Sequence, residues 1–248
     1  MIRASAAWLV AWLSMLAAGA VAAPGCSDLE FDGSSFTVCR INPQDTPLRL
    51  FLYRDNGLPF GTFFNVDEML AQQGEKLSFA MNAGMYHRDR SPVGLYLDGD
   101  TVEQRLITSP GPGNFGLLPN GVLCLGDGRA DVIESLRFER EAPTCRFATQ
   151  SGPMLVIDGD LHPRFLPDST SRYVRNGVGT SADGREAIFA ISNTPVTFHQ
   201  FGRLFRDALG VPNALYFDGN ISRLHAPELN RSDAGFPMGP IIGAVTSQ

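Results

Sequence analysis

The chain has 248 residues, with 20 Lys and Arg against 26 Asp and Glu, a formal net charge of −6, 44% hydrophobic residues and 26 glycines. That apolar content can build a core, which excludes a disordered polymer. The acidity argues against a nucleic-acid partner, because such proteins carry a basic face.

The first 22 residues open with Met1, Ile2 and Arg3 and run uncharged through Trp8, Leu9, Val10, Trp12 and Leu16 to Ala20-Val21-Ala22. A basic start, a short apolar stretch and an A-x-A end read as a secretory signal peptide, residues 1–22, cut after Ala22. An uncleaved anchor is disfavoured, since the run is at the short end for a bilayer span and small residues crowd its end. No later run is long enough to span, so no stable membrane span is expected after cleavage. Residues 23–248 are then expected as one exported domain, secreted or periplasmic. Cleavage removes both tryptophans and Arg3, leaving the remainder more acidic by one charge.

The four cysteines are Cys26, Cys39, Cys124 and Cys145. An even number in an exported chain reads as two disulfides. Four cysteines allow three pairings. Cys26 and Cys39 flank the turn signal Phe31-Asp32-Gly33-Ser34 between two strand-like runs, which favours a local bridge and leaves Cys124 for Cys145. Zinc is the weaker alternative, because no C-x-x-C pair or paired histidines offer close ligand spacing.

Strand-like runs cover Ser35–Cys39, Leu48–Tyr53, Leu77–Ala83, Val93–Leu97, Gly121–Leu125, Met154–Ile157, Glu186–Ser192 and Ala214–Phe217. Asp-Gly and Gly-Asp pairs bound them, the chemistry of tight hairpins. Two helices are predicted. Asn65 with Glu68 reads as a capping box before Val66, Met69 and Leu70, with Gly74 to close; Thr197 with Gln200 opens a stripe of Phe201, Leu204, Phe205 and Ala208, ending at Gly210. The fold class expected is α+β, a mixed β-sheet core with many hairpins and a few packed helices, in a single domain.

One pattern recurs: Leu95 to Asp100, Leu155 to Asp160 and Leu215 to Asn220 each end an apolar strand in Asp-Gly-Asp or Asp-Gly-Asn. The first two read as plain strand-to-turn units. The third differs, because Asn220-Ile221-Ser222-Arg223 follows where a hairpin would return as an apolar strand.

Familiar catalytic signatures are missing. Gly111-Pro112-Gly113-Asn114-Phe115-Gly116 spells G-x-G-x-x-G, but prolines place it in a stiff loop without the strand and helix that a dinucleotide site needs. No P-loop, H-E-x-x-H or G-x-S-x-G occurs. A different constellation is present. Met81-Asn82-Ala83-Gly84-Met85-Tyr86-His87-Arg88 leaves an apolar strand with polar groups at its end; Pro92-Val93-Gly94-Leu95, Ser151-Gly152-Pro153, Arg175-Asn176-Gly177-Val178-Gly179 with Asp183-Gly184, and Phe217-Asp218-Gly219-Asn220-Ile221-Ser222 follow in order.

This series, spread over about residues 77–245, resembles the phosphodiester glycosidase family, the bacterial relatives of the lysosomal uncovering enzyme that removes N-acetylglucosamine from a phosphodiester cap. Two departures mark a divergent subgroup. Met85 stands where an aromatic is usual, and Asn220-Ile221-Ser222-Arg223 replaces a Gly-Ser-rich tail.

The resemblance implies a hydrolase that frees a sugar from a glycosyl phosphodiester or phosphorylated glycan, in envelope or extracellular polysaccharide. Cleaving that anomeric bond needs a carboxylate to activate water or attack carbon, and cations or N–H donors for the phosphate. Asp218 is the expected carboxylate, with Arg175 and Asn82 as its catalytic companions. Arg172 is expected beside Arg175 as a phosphate clamp, with Arg223 and His87 behind them. Asn82, Ser151 and Asn220 are expected to hold sugar hydroxyls or phosphate. Tyr86, Asn176 and Ser222 complete the substrate-binding set, while Gly84, Gly152 and Gly219 let backbone approach. No cofactor is required; Asp and Asn oxygens could hold a divalent metal, but spacing alone defines no such site. The alternatives are a non-catalytic carbohydrate-binding protein on the same fold and a phosphodiesterase attacking phosphorus.

Overall fold

The computed structural model describes residues 25–248. The predicted signal peptide lies outside the described residues. In chain order the strands are β1 (Gly25–Phe31), β2 (Ser34–Ile41), β3 (Leu48–Phe51), β4 (Glu75–Asn82), β5 (Tyr96–Asp98), β6 (Thr101–Gln104), β7 (Gly121–Gly126), β8 (Arg129–Glu134) and β9 (Phe147–Ser151). They continue with β10 (Met154–Ile157), β11 (Asp160–Leu161), β12 (Asn176–Thr180), β13 (Ala187–Ser192), β14 (Asn213–Asp218), β15 (Leu224–Ala226), β16 (Arg231–Ser232) and β17 (Ile241–Ser247). Three α-helices join them: α1 (Phe63–Ala71), α2 (Ser135–Glu141) and α3 (Phe198–Arg203). The fold is mixed, a single domain of three antiparallel sheets with a few helices, as its class was read.

The largest sheet has the order β1-β2-β13-β12-β14-β10-β11, and the two five-stranded sheets run β16-β15-β4-β17-β3 and β6-β5-β9-β7-β8. Alternation along the large sheet sends side chains to two cores. Cys39, Ile41, Phe189, Ile191, Val178, Leu215 and Phe217 join Phe79, Met81, Leu123 and Ile242 of the smaller sheets in one cluster. Phe36, Val38, Ile188, Ala190, Ala214 and Tyr216 face the other way, onto Phe201, Leu204 and Phe205. The sheet is therefore buried on both faces, which explains why β13 reads as an unbroken apolar run. The helix α1 covers the outer face of the second sheet, packing Phe63, Val66 and Leu70 on Phe51, Leu77 and Ile241.

Local chemistry sets the turns. Asp32-Gly33, Asp127-Gly128 and Asp158-Gly159 all carry left-handed φ at both residues, +51° and +73°, +48° and +71°, +49° and +91°. That is the geometry of two-residue hairpins. Cys26 faces Cys39 across β1 and β2 and bonds to it, and Cys124 bonds Cys145. Both cross-links follow the expected pairing, and each contributes about 2–4 kcal/mol by restricting the unfolded chain.

Several elements differ from expectation. The cap of α1 is Thr62, whose hydroxyl accepts from the Asn65 N–H at 3.2 Å, so the helix starts earlier than the Asn65 box placed it. Asn65 instead donates to the Phe60 carbonyl. Thr197 does cap α3, but Gln200 does not reach back; it donates to Asp32 and Ser34 across the fold. That helix widens into a π-turn over Leu204–Ala208, with Leu209 N–H bonded to the Leu204 carbonyl. The expected strand Val93–Leu97 begins only at Tyr96, because before it the Val93 N–H bonds to the Met85 carbonyl and the Leu95 N–H to the Gln150 side chain instead of to a neighbouring strand.

Candidate functional site

The site forms where β4 and β14 end and β12 begins. A bulge between Asn176 and Gly177 sets Asp218 opposite Asn176 and Tyr216 opposite Gly177. The chain then leaves the sheet at Gly219, beside a cleft of about 660 Å³. Its walls include Tyr86 and His87 beyond β4, Asn114 and Phe115 from the Pro-Gly loop, Tyr173 and Arg175 before β12, Phe198 at the start of α3, and Tyr216 with Asp218 to Ile221. The loop Gly111–Gly116, rejected as a dinucleotide motif, is thus part of the cleft wall.

Arg175 is 1% exposed and has no carboxylate partner among the described residues. Its Nε donates to the Val196 carbonyl at 2.9 Å, Nη1 to the Tyr216 hydroxyl at 3.4 Å and Nη2 to the Ser171 carbonyl at 3.3 Å. A guanidinium has five N–H groups, so each terminal nitrogen keeps one for a ligand. The cation lies 3.6 Å from the Phe198 ring centroid, with Tyr173 and Tyr216 at 5.4 and 5.5 Å. Aromatic faces offset part of its desolvation. Burial pulls its pKa below the usual guanidinium value, while Tyr216 and Tyr173 act the other way.

Asp218 stands half-buried on the same cleft. Its Oδ1 accepts from Gly219 N–H at 2.6 Å and Asn220 N–H at 2.9 Å, an Asx-type turn. Burial raises its pKa above the ordinary aspartate value, and the backbone N–H groups of Asn220, Gly219 and Ile221 only partly offset this. Nearby, the Tyr86 hydroxyl is buried and has no hydrogen-bond partner among the described residues. Desolvation first and the Asp218 charge second raise its pKa; the Tyr216 phenol is raised by burial as well.

Behind the cleft, two asparagines tie the strand ends together. Asn176 Nδ2 donates to Asn82 Oδ1 at 2.8 Å, Asn176 Oδ1 accepts from the Asp218 N–H at 3.2 Å, and Asn82 Oδ1 accepts from the Arg223 N–H at 2.9 Å. The Ser222 hydroxyl lies 2.9 Å from the Asp218 carbonyl and 3.1 Å from that of Val174. This clasp fixes the turn that carries Asp218.

Of the expected site residues, Asp218, Arg175, Tyr86, His87, Gly219 and Asn220 line the cleft. The others do not line it. Asn82, Asn176 and Ser151 are 0% exposed, and their polar atoms are bonded inside the protein; Ser151 donates to the Phe217 carbonyl. Ser222 is spent on the clasp. Arg223 is held against Gly235 and donates to the Phe236 carbonyl. Arg172 is exposed and reaches Gln200 at 3.4 Å, outside the cleft lining. Gly84 and Gly152 serve packing: added Cβ atoms would meet the Thr149 hydroxyl at 3.1 Å and Asn120 at 2.5 Å. Tyr173, Phe198 and Tyr216 were not anticipated. The one sequence signal for them was alternation in Leu215-Tyr216-Phe217, which turns Tyr216 away from its neighbours.

Known proteins resemble this chain in sequence and in fold. The phosphodiester glycosidase family model matches residues 75–233. The chain belongs to the phosphodiester glycosidase family. The uncharacterized protein YigE of Escherichia coli K12 is 33% identical over 215 residues, covering 86% of this chain and 82% of that protein. The same fold occurs in the zebrafish N-acetylglucosamine-1-phosphodiester alpha-N-acetylglucosaminidase catalytic domain, auto-inhibited by its pro-peptide, with a TM-score of 0.57 at 12% identity over 89% of this chain and 81% of that one. A Burkholderia pseudomallei K96243 protein described as exported aligns with a TM-score of 0.55 at 11% identity, over 85% and 74% of the two chains. Within this chain, the family match spans the strand ends that build the cleft, from β4 to the turn after β14. Among the described residues no group of three His, Cys, Asp or Glu is placed to hold a metal ion.

Proposed function

We propose that this member of the phosphodiester glycosidase family is an exported hydrolase that cleaves a sugar from a glycosyl phosphodiester. The observation that carries the reading is Arg175, a buried cation without a carboxylate partner among the described residues that shares a cleft with Asp218. A buried charge is costly unless paired, and a bound phosphate supplies the pair. The two spare N–H groups of the fork suit two phosphate oxygens. As the anomeric C–O bond breaks, negative charge grows on the departing phosphate monoester, where the guanidinium is already in place. Such a leaving group needs little protonation, so the demand falls on a carboxylate at the anomeric carbon. Asp218 takes that role, activating water or attacking carbon, with Tyr86, His87 and Asn220 around the sugar.

Export is supported by the reading of residues 1–22 as a signal peptide and by the use of all four cysteines in disulfides. The exported Burkholderia protein of the same fold agrees with it. Among the described residues no helix is long and apolar enough to cross a membrane.

Hydrolysis of an alkyl glycosyl-1-phosphate diester in oxygen-18 water tests the reading. Label in the released sugar is expected. Label in phosphate would assign attack at phosphorus instead, and binding without product would assign a carbohydrate-binding protein. Arg175→Lys keeps the charge but loses the fork, and is expected to lower kcat/KM by about 10²–10³-fold.

A further inference from the structure

A second polar hollow of about 280 Å³ lies away from the cleft, lined by Leu52 and Tyr53 just past β3, Tyr96 and Asp98 of β5, and Thr101 and Glu103 of β6. It shares no lining residue with the cleft. Register explains its composition. In the β5–β6 hairpin Tyr96 and Asp98 are two residues apart and so share a face, and the bulge after Tyr96 sets Asp98 opposite Thr101.

Three features distinguish it from an ordinary acidic rim. Asp98 and Glu103 stand close enough for the Glu103 charge to act on Asp98, and neither forms an ion pair among the described residues. Arg146 also acts on Asp98, but its guanidinium sits over the Phe147 ring at 5.5 Å. Most telling is Tyr96, which is 1% exposed and whose hydroxyl has no hydrogen-bond partner among the described residues. A buried hydroxyl without a partner costs stability unless something satisfies it.

We propose that this hollow is a binding site for a primary ammonium group. Two carboxylates and one phenol oxygen offer three acceptor groups to the three N–H donors of such a group. The phenol rings of Tyr53 and Tyr96 wall the site and favour an organic cation. Among the described residues no group of three His, Cys, Asp or Glu is placed to hold a metal ion, which disfavours a hard divalent cation here. Desolvation and then Glu103 raise the pKa of Asp98, and Glu103 with Asp89 adds to the burial that raises Tyr53. A bound cation relieves both. The ammonium can be borne on a sugar or on an aliphatic chain, and the shared chemistry is the –NH₃⁺ head.

Calorimetric titration at neutral pH with n-butylammonium and with glucosamine tests the site, using tetramethylammonium, N-acetylglucosamine and calcium as controls. Saturable one-to-one binding of either amine supports the proposal: glucosamine alone identifies a sugar source, and both together show that the ammonium head suffices. Asp98→Asn and Glu103→Gln should each weaken binding about tenfold, and Tyr96→Phe about fivefold. Tyr96→Phe removes an unpartnered hydroxyl and should melt no lower than the parent, which keeps the test independent of folding. Absence of saturation, affinities unchanged in all three variants, or a response to calcium alone would overturn the proposal.

Discussion

The turns at Asp158-Gly159 and Asp218-Gly219 are spelled almost alike, after Leu155-Val156-Ile157 and Leu215-Tyr216-Phe217, yet they do opposite work. At the first, both residues take left-handed φ, the chain doubles back into β11, and the carboxylate points outward to Arg137, 2.6 Å away. At the second, neither residue has positive φ; the carboxylate folds onto the N–H groups of Gly219 and Asn220 and borders the cleft. Surroundings, not spelling, separate them. β10 continues into a free hairpin, whereas β14 ends against Asn176, whose amide holds the Asp218 N–H and prevents a direct return. The electrostatics diverge accordingly. The Arg137 hydrogen bond lowers the pKa of Asp158, and burial raises that of Asp218.

The sharpest break of this comparison is Asp218→Asn. The amide keeps the Oδ1 acceptor and so the turn, but removes the charge. Turnover of a glycosyl phosphodiester is expected to fall about 10²–10⁴-fold with the fold intact. Stability should move the other way. A carboxyl whose folded pKa is raised stabilises the fold at low pH, and that contribution is lost as pH rises through the folded value. The variant should therefore melt at or above the parent temperature at neutral pH, with the gap closing in acid. Thermal melts across the acidic range, beside a rate assay, check both halves. A large loss of stability at neutral pH would show instead that the charge holds the turn together.

Gly219→Ala probes the same turn from the backbone. A Cβ there would sit 2.1 Å from the Tyr216 hydroxyl, although the glycine has no left-handed φ to protect. The glycine is needed for space, since Tyr216 must reach over it toward Arg175. Overpacking of this kind costs about 1–3 kcal/mol. Tyr216→Phe removes the colliding oxygen, so Gly219→Ala should cost less in the Tyr216→Phe background than alone. Denaturant melts of the four proteins in the cycle measure that coupling. Gly159 inverts the case: nothing lies within 4 Å of its added Cβ, and the burden is its φ of +91°.

The same contrast explains what the sequence could carry. Hairpins at Asp-Gly pairs were legible because the turn is decided by two adjacent residues. β12 was not, since Asn176-Gly177-Val178-Gly179-Thr180 looks like a loop until its neighbours are known. A Cβ at Gly177 would lie 2.5 Å from the Leu215 carbonyl oxygen, and Val211 with Phe205 fills the space a side chain would take at Gly179, so the glycines admit the strand into a crowded centre. At the site, ordered motifs marked a neighbourhood without separating residues that face the cleft from those that support them. Asn82 and Asn176 carry motif character because they fix the Asp218 turn. Phe198 escaped notice because it reaches Arg175 from another segment, the start of α3, and Tyr173 because nothing in Arg172-Tyr173-Val174 marks a ring set against a buried cation.

The smallest effect is expected at the outward turn. Asp158→Asn keeps a residue tolerant of left-handed φ, so the hairpin survives. What disappears is an ion pair whose side chains are 35% and 56% exposed, Arg137 and Asp158 respectively. Solvent screening limits such a pair to about 0–1 kcal/mol. Because the folded pKa of Asp158 is lowered, its contribution is present above the unfolded value and is lost as pH falls through the folded one. The parent and Asp158→Asn curves should therefore converge in acid, as those of Asp218→Asn do, but with the parent the more stable protein at neutral pH. Catalytic rate should be unchanged, because no atom of this turn borders the cleft. Melts of both variants over one pH series would display two aspartates in near-identical sequence with stability effects of opposite sign; a shared sign would mean that burial at the second turn is weaker than its geometry indicates.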